Sequence, residues 1–161
     1  MWVTHLSAPT QVNMSSATLL LLLALGGVCH CFRCPPSWVP YGNSCYTYIS
    51  QSLTWPDAAN RCRAIGGYLV EITSRSENNF VQSLIGRSSV WMGINKLRNG
   101  RWVLTSSGRP LPYANWARGE PNNYRGRETC GQMYSNGRWN DHRSSHRIPS
   151  VCERSAFSWC H

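Results

Sequence analysis

Two segments of the chain repeat apolar residues at the spacing of an amphipathic helix. Thr54 can cap the first helix, with Pro56 in its first turn, and Gly66–Gly67 ends it. The second helix opens with Ser74-x-x-Glu77, a pattern in which the two side chains cap backbone amides reciprocally. We expect each helix to bury one apolar stripe: Trp55, Ala58, Ala59, Cys62 and Ile65 on the first, and Phe80, Val81, Leu84 and Ile85 on the second.

Short apolar or alternating runs predict the strands. Residues 35–49 form a hairpin by composition, with turn residues at Gly42–Asn43. Four further strand-like runs are YLVEI at 68–72, VWMGI at 90–94, GRWND at 137–141 and PSVCE at 149–153. Between Lys96 and Arg138 regular periodicity is lost, and Gly, Pro, Asn and Arg dominate. An irregular segment of that length inside a compact domain is usually functional.

The N-terminal region has the pattern of a targeting segment. Residues 1–32 carry no Lys, Arg, Asp or Glu, and Ala17–Val28 is an apolar stretch too short to span a bilayer. We therefore predict a signal peptide at residues 1–31, with Met14 as an alternative start. A single domain with a short C-terminal extension would occupy residues 32–161, in a secreted, extracellular protein without a transmembrane segment.

The eight cysteines agree with an oxidising compartment, where such a count predicts a disulfide framework. Signal cleavage is compatible with a position after Cys29 or after Cys31. The later cleavage leaves six cysteines, an even number that could all pair, whereas the earlier one leaves seven.

Charge narrows the classes of partner. The chain has 16 basic residues against 7 acidic ones, and a formal charge of +9. Because the arginines are scattered along the chain, we interpret them as a solvated surface and not as a nucleic-acid site. The acids are clustered instead, since Glu120, Glu128 and Asp141 fall within 22 residues.

Five residues of this region carry oxygen donors: Glu120, Asn122, Glu128, Asn140 and Asp141. Three carboxylates and two carboxamides suit Ca²⁺, which takes about six to eight oxygen ligands, and leave positions for ligand hydroxyls. A cis bond before Pro121 would turn the flanking side chains to the same side.

Two other chemistries have less support. His142 and His146 stand at zinc-ligand spacing for a helix, but their context is strand-rich. No catalytic triad or buried acid pair stands out once the carboxylates are assigned to calcium, so we predict no enzymatic activity.

From Cys34 to about Phe157 the chain resembles the long-form C-type lectin-like domain. The motifs that match in order and spacing are the Cys34/Cys45 hairpin, Cys62 on the first helix, VWMGI, EPN at 120–122, WND at 139–141 and VCE at 151–153. The resemblance implies an α+β double-loop fold in which two helices flank antiparallel sheets beside a long irregular ligand loop. It also implies the disulfides Cys34–Cys45 and Cys62–Cys152, and calcium coordination by the five oxygen-donor residues.

In that family EPN marks a preference for mannose, fucose, glucose and N-acetylglucosamine, whereas QPD marks galactose. Two vicinal hydroxyls would each donate to a carboxylate and accept from an Asn amide. Tyr124 could stack on the sugar or be a plain exposed aromatic, and Trp139 is expected in the core. The resemblance thus implies a calcium-dependent lectin for mannose-type glycans.

Two alternatives remain open at this point. One is an extracellular matrix protein of the same fold that binds protein or mineral without sugar, for which the arginine surplus would suit an anionic partner. The other is a cationic lectin that also disturbs anionic lipids.

Two positions depart from the family pattern. Ser144 stands where a cysteine usually pairs with the one at Cys130, so we expect Cys130 to pair with Cys160 or with a second chain. Thr129 replaces an aspartate that some relatives use for an auxiliary calcium, so a single calcium site is expected. Any oligomer would form through disulfides or domain surfaces.

Overall fold

The computed structural model describes residues 31–96 and 100–159. The predicted signal peptide, apart from Cys31, and Cys160 lie outside the described residues. The elements are, in chain order, β1 (Cys31–Arg33), β2 (Val39–Tyr41), β3 (Ser44–Leu53), α1 (Trp55–Ala64), β4 (Tyr68–Leu69), α2 (Arg75–Ile85), β5 (Val90–Lys96), β6 (Trp102–Leu104), a 3₁₀ turn (Tyr124–Gly126), β7 (Cys130–Met133), β8 (Trp139–His142), β9 (Ile148–Ser155) and β10 (Phe157–Trp159).

The α+β class is confirmed, with two helices against an eight-stranded sheet. The strands follow the order β2-β3-β9-β5-β7-β8, with β4 beside β9 and β6 beside β5, while β1 and β10 form a separate pair. The sheet is mixed and not wholly antiparallel as expected, because β5 and β9 run parallel where Trp91 faces Ser150.

Helix α1 begins and ends where the sequence predicts. Thr54 Oγ1 accepts a hydrogen bond from the Asp57 amide at 3.4 Å, and Gly66 leaves the helix with φ 78°. Its buried face consists of Ala58, Ala59 and Cys62.

Helix α2 differs from its prediction in two details. Ser74 caps it by accepting from the Glu77 amide at 3.2 Å, but the Glu77 carboxylate accepts from the Thr73 amide and not from that of Ser74. Phe80 and Leu84 are only partly buried, whereas Glu77 itself is buried and accepts from Tyr46 Oη at 2.7 Å.

Two strand predictions need correction. The run at 68–72 is a strand only over Tyr68–Leu69, although the three residues after it are buried. The segment predicted as irregular contains two strands, β6 and β7. Both are strands because they pair with β5.

A Cβ at Gly93 would lie 2.2 Å from the Leu69 carbonyl oxygen, so this close approach to β5 requires glycine.

Two disulfides, one local and one long-range, cross-link the described chain. Cys34 is bonded to Cys45, and Cys62 of α1 is bonded to Cys152 of β9, as the resemblance implied. Cys130 has a free thiol among the described residues, and both partners predicted for it, Cys160 and a second chain, lie outside them, so that bridge stays a prediction. Cys130 is 4% exposed and lies within the apolar cluster around Trp91 and Cys62.

Within residues 31–96 and 100–159, no helix is long and apolar enough to cross a membrane.

Candidate functional site

The hairpin of β7 and β8 supplies the floor of the candidate site. Its register places Asp141 opposite Gly131 and Asn140 opposite Gln132. Asp141 is fully buried and Asn140 is 8% exposed, so both side chains are packed against the sheet and shielded from solvent. Trp139 precedes them in the core, where it is fully buried as expected and donates from Nε1 to Asn78 Oδ1 at 2.8 Å.

A turn at Pro121 brings the EPN segment onto this floor. The Ala117 amide donates to the Trp139 carbonyl at 2.8 Å, and the Glu120 amide donates to the Ala117 carbonyl at 3.0 Å. The Glu120–Pro121 peptide bond is cis, as the sequence suggested. Across it, Asn122 Nδ2 donates to Glu120 Oε1 at 2.9 Å, so the acid and the amide meet on one side.

Asp141 holds the loop that follows Pro121. Its Oδ1 accepts from the Asn122 amide at 3.0 Å, and its Oδ2 accepts from the Asn123 amide at 2.8 Å. The Asn122 amide also lies 3.1 Å from Glu120 Oε2, so the two carboxylates converge on one donor. A buried carboxylate requires such donors, because an unsatisfied charge in the interior is costly.

Glu128 closes the loop from its other end. Its Oε2 accepts from the Tyr124 amide at 3.0 Å, and its own amide donates to Asn123 Oδ1 at 3.2 Å. His142 Nδ1 lies 3.4 Å from Glu128 Oε1. Asn123 therefore links Asp141 to Glu128.

The carboxylates act on one another and on their neighbours. Burial, together with a hydrogen bond to Asp141, raises the pKa of Glu120. Tyr134 has a raised pKa for two reasons, its own burial and then the charges of Glu120, Glu128 and Asp141, so all three acids lie within electrostatic reach of one phenol. Burial lowers the pKa of His142 and favours its neutral form.

The predicted site residues are brought together to different degrees. Glu120, Asn122 and Asp141 share direct hydrogen bonds, and Glu128 joins them through Asn123. Asn140 lies beside them on β8, but its Nδ2 donates to Gln132 Oε1 at 3.1 Å.

Tyr124 lies at the surface of the site. It is 55% exposed, with the guanidinium of Arg125 5.2 Å from its ring centroid. Its ring is therefore accessible from solvent.

Asn123 and Gln132 of the site were not predicted from the sequence, and His142 was considered there only as a zinc ligand. The doubled Asn in EPNNY is the available signal for Asn123. Gln132 is placed by strand register, which the sequence does not contain.

The donor set fits a hard cation. Glu120, Asn122 and Asp141 already converge, and carboxylate and carboxamide oxygens are the ligands that Ca²⁺ prefers. Glu128 stands apart because it accepts from the Tyr124 amide, and the described residues contain no group of three His, Cys, Asp or Glu side chains gathered as for a metal ion. Completing such a site would require Glu128 to exchange that amide for the cation.

The family is decided by sequence comparison. The family model described as "Lectin C-type domain" matches residues 51–154. The chain belongs to the C-type lectin domain family.

Relatives of this C-type lectin cover nearly all of the domain. It is 36% identical over 141 residues to a perlucin-like protein of Mytilus galloprovincialis, covering 82% of this chain and 90% of the mussel protein. Several other curated relatives are longer, and the chain spans less than half of their length.

Two solved structures share the fold. The cow C-type carbohydrate-recognition domain of CD23, solved in the presence of a GlcNAc2Man3 oligosaccharide, has a TM-score of 0.75 at 31% identity and covers 79% of this chain and 99% of that one. A calcium-independent type II antifreeze protein has a TM-score of 0.74 at 27% identity, and the match covers 80% of this chain and 99% of the antifreeze chain. The fold thus serves proteins of different binding behaviour.

Proposed function

We propose that this C-type lectin is a secreted, calcium-dependent and non-enzymatic protein that binds mannose-type glycans. The observation that carries the proposal is the convergence of three side chains across Pro121. The Glu120 and Asp141 carboxylates both accept from the Asn122 backbone amide, and the Asn122 side-chain amide donates to Glu120. Asn140 and Glu128 would complete the oxygen donors. Calcium, when bound, would supply positive charge that draws two sugar hydroxyls to the site.

Each side chain would then do a defined job. The carboxylates can only accept hydrogen bonds, so they would take the protons of the sugar hydroxyls. The Asn122 Nδ2 group can only donate, so it would bond a hydroxyl lone pair in place of Glu120 Oε1, its present partner at 2.9 Å. This order of acid and amide across Pro121 supports a preference for the equatorial diol of mannose, fucose, glucose and N-acetylglucosamine.

Two features set the strength of binding. The exposed ring of Tyr124 could cover the apolar face of a sugar. A single shallow site would still hold a monosaccharide weakly, so useful avidity would come from several sites on one target.

Retention on mannan–agarose tests the proposal. In millimolar calcium the protein should be retained, and EDTA should release it, because the carboxylates need the cation to engage hydroxyls. A protein with a native circular dichroism spectrum that flows through in calcium would overturn the proposal.

The acid–amide order provides a matched variant. Glu120→Gln combined with Asn122→Asp keeps one acid and one amide but exchanges donor and acceptor. We expect the double variant to lose retention on mannan and to be retained on a galactose matrix instead, with calcium dependence kept. Unchanged mannose elution in the double variant would argue against hydroxyl recognition by these two groups.

A second candidate is an extracellular protein- or mineral-binding function without sugar. The favouring observation is that the loop carboxylates accept hydrogen bonds from backbone amides, so the loop itself supplies donors to them. The calcium-independent antifreeze relative supports the same reading. Retention on a mineral or protein matrix that EDTA leaves unchanged, with no retention on mannan, would favour it.

A further inference from the structure

The acidic side chains of this protein are mostly buried, whereas its arginines are mostly exposed. Among the seven acidic residues, all within the described chain, Asp57 alone is exposed. Glu120 is partly buried, and five others are at most 7% exposed. Eleven arginines, by contrast, are exposed in the same ranges. Among the described residues, the exposed charged side chains are therefore mostly positive, which favours anionic ligands.

Three of these exposed arginines lie in the same loop segment as the EPN residues of the candidate sugar site. Arg118 lies in the turn closed by the Glu120 amide on the Ala117 carbonyl, two residues before the EPN segment. Arg125 lies in the 3₁₀ turn after Asn123, with its guanidinium over the Tyr124 ring, and Arg127 follows it immediately before Glu128. We call Arg118, Arg125 and Arg127 the arginine rim.

The arginine rim has no acidic partner within residues 31–96 and 100–159. The reason is local, because the nearby carboxylates accept from the loop backbone. Asp141 takes the amides of Asn122 and Asn123, and Glu128 takes that of Tyr124. These bonds use the acids within the loop, whereas the three arginines of the rim are exposed. A cation bound to the acids would add to the positive charge of the rim.

We propose that the sugar site selects anionic glycans, meaning saccharides with a mannose-type diol and a sulfate, phosphate or carboxylate group on the same or the next residue. The proposal rests on the proposed calcium-dependent function. The diol would bind at Glu120, Asn122 and Asp141, and the acidic group would bind the arginine rim. Guanidinium groups suit this task, because their paired N–H donors match two oxygens of such an anion.

The test compares N-acetylglucosamine with N-acetylglucosamine 6-sulfate, which share free 3- and 4-hydroxyls. Each is used to displace the purified protein from immobilised mannan in calcium, at 20 mM and at 150 mM salt. At the lower salt the sulfated sugar should be about tenfold more potent, equal to about 1.4 kcal/mol. Its advantage should shrink at 150 mM, where the screening length is about 8 Å.

Two variants of equal charge assign the effect. Arg118→Gln, Arg125→Gln and Arg127→Gln together should bring the ratio of the two potencies close to one. Arg61→Gln, Arg75→Gln and Arg87→Gln together remove three exposed arginines of the helical region and should keep the wild-type ratio. A single Arg127→Gln variant, which should reduce the ratio partly, covers the case in which the first triple variant fails to fold.

The outcomes separate the two proposals. Equal potency of both sugars, with mannan retention intact, would overturn anionic selection and leave the proposed function standing. Equal loss of the potency ratio in both triple variants would overturn anionic selection, because it would assign the effect to bulk surface charge. Inhibition by inorganic sulfate as strong as by the sulfated sugar would overturn it for the same reason. Absence of mannan binding by the folded wild-type protein would overturn both.

Discussion

Glu153 is a buried carboxylate whose surroundings oppose its charge. It is 6% exposed on β9, with Oε1 accepting from Ser44 Oγ at 2.8 Å and Oε2 accepting from the Glu71 amide at 3.1 Å. Burial is the main cause that raises its pKa to about 7, and the charge of Glu77 adds to it. Hydrogen bonds lower the pKa but do not offset the loss of solvation.

This pKa predicts how stability changes with pH. The folded protein holds the Glu153 proton more tightly than the unfolded chain, whose pKa is near 4.5. The proton therefore contributes stability that is fully present below pH 4.5 and is lost as the pH rises through about 7. Over that window wild type should lose about 3 kcal/mol more in free energy of unfolding than Glu153→Gln, which has no proton to lose.

Denaturant unfolding followed by tryptophan fluorescence, in EDTA at pH 4.5 and pH 8, measures that difference. EDTA keeps any bound cation from adding its own pH dependence. Gln keeps one oxygen for the Glu71 amide, so the two proteins should differ little at pH 4.5. A stability difference that is the same at both pH values would contradict the assigned pKa.

At the residue scale, the sequence predicted the oxygen-donor side chains of the site better than the residues to which they are hydrogen-bonded. Glu120, Asn122 and Asp141 were identified from residue type and spacing, and they converge in the structure. Asn123 was missed because it joins the Asp141 carboxylate to the Glu128 backbone amide, two groups that only the fold brings near. The bond from Asn140 to Gln132 likewise depends on strand register.

At the element scale, local signals were sufficient for the helices. The cap at Thr54 and the glycine after α1 act within a few residues, so the sequence contains them directly. The strands were harder, because a strand is completed by its neighbours. β6 and β7 lie in a segment without periodicity, and pairing with β5 makes them strands.

The cap of α1 gives a prediction at this scale. Thr54 Oγ1 accepts from the Asp57 amide at 3.4 Å and donates to Asp57 Oδ2 at 2.6 Å. Thr54→Ala removes both bonds and should reduce the free energy of unfolding by about 1 kcal/mol. Thr54→Ser keeps the hydroxyl and should remain close to wild type. Chemical denaturation of the three proteins measures the effect, and equal losses in both variants would assign it to the lost methyl group instead of the cap.

At the scale of the whole molecule, the two disulfides differ in how much chain they close. Cys34–Cys45 joins residues 11 apart within the first hairpin, whereas Cys62–Cys152 joins residues 90 apart and ties α1 to β9. Both pairs were implied by the family resemblance. The bridge expected from Cys130 stays a prediction, and among the described residues its thiol is free and buried in the apolar cluster beside Trp91.

The difference in loop length predicts unequal losses of stability. A cross-link reduces the entropy of the unfolded chain in proportion to the logarithm of the loop it closes, so Cys62→Ala with Cys152→Ala should cost about 4–5 kcal/mol, and Cys34→Ala with Cys45→Ala about 3 kcal/mol. Each pair is the control for the other, since both remove two sulfur atoms. Both residues of the longer pair are also fully buried, so the cavity they leave acts in the same direction. Guanidinium unfolding compares the variants, and a greater loss from the short hairpin would mean that local order near β2 and β3, and not closure of the long loop, dominates stability.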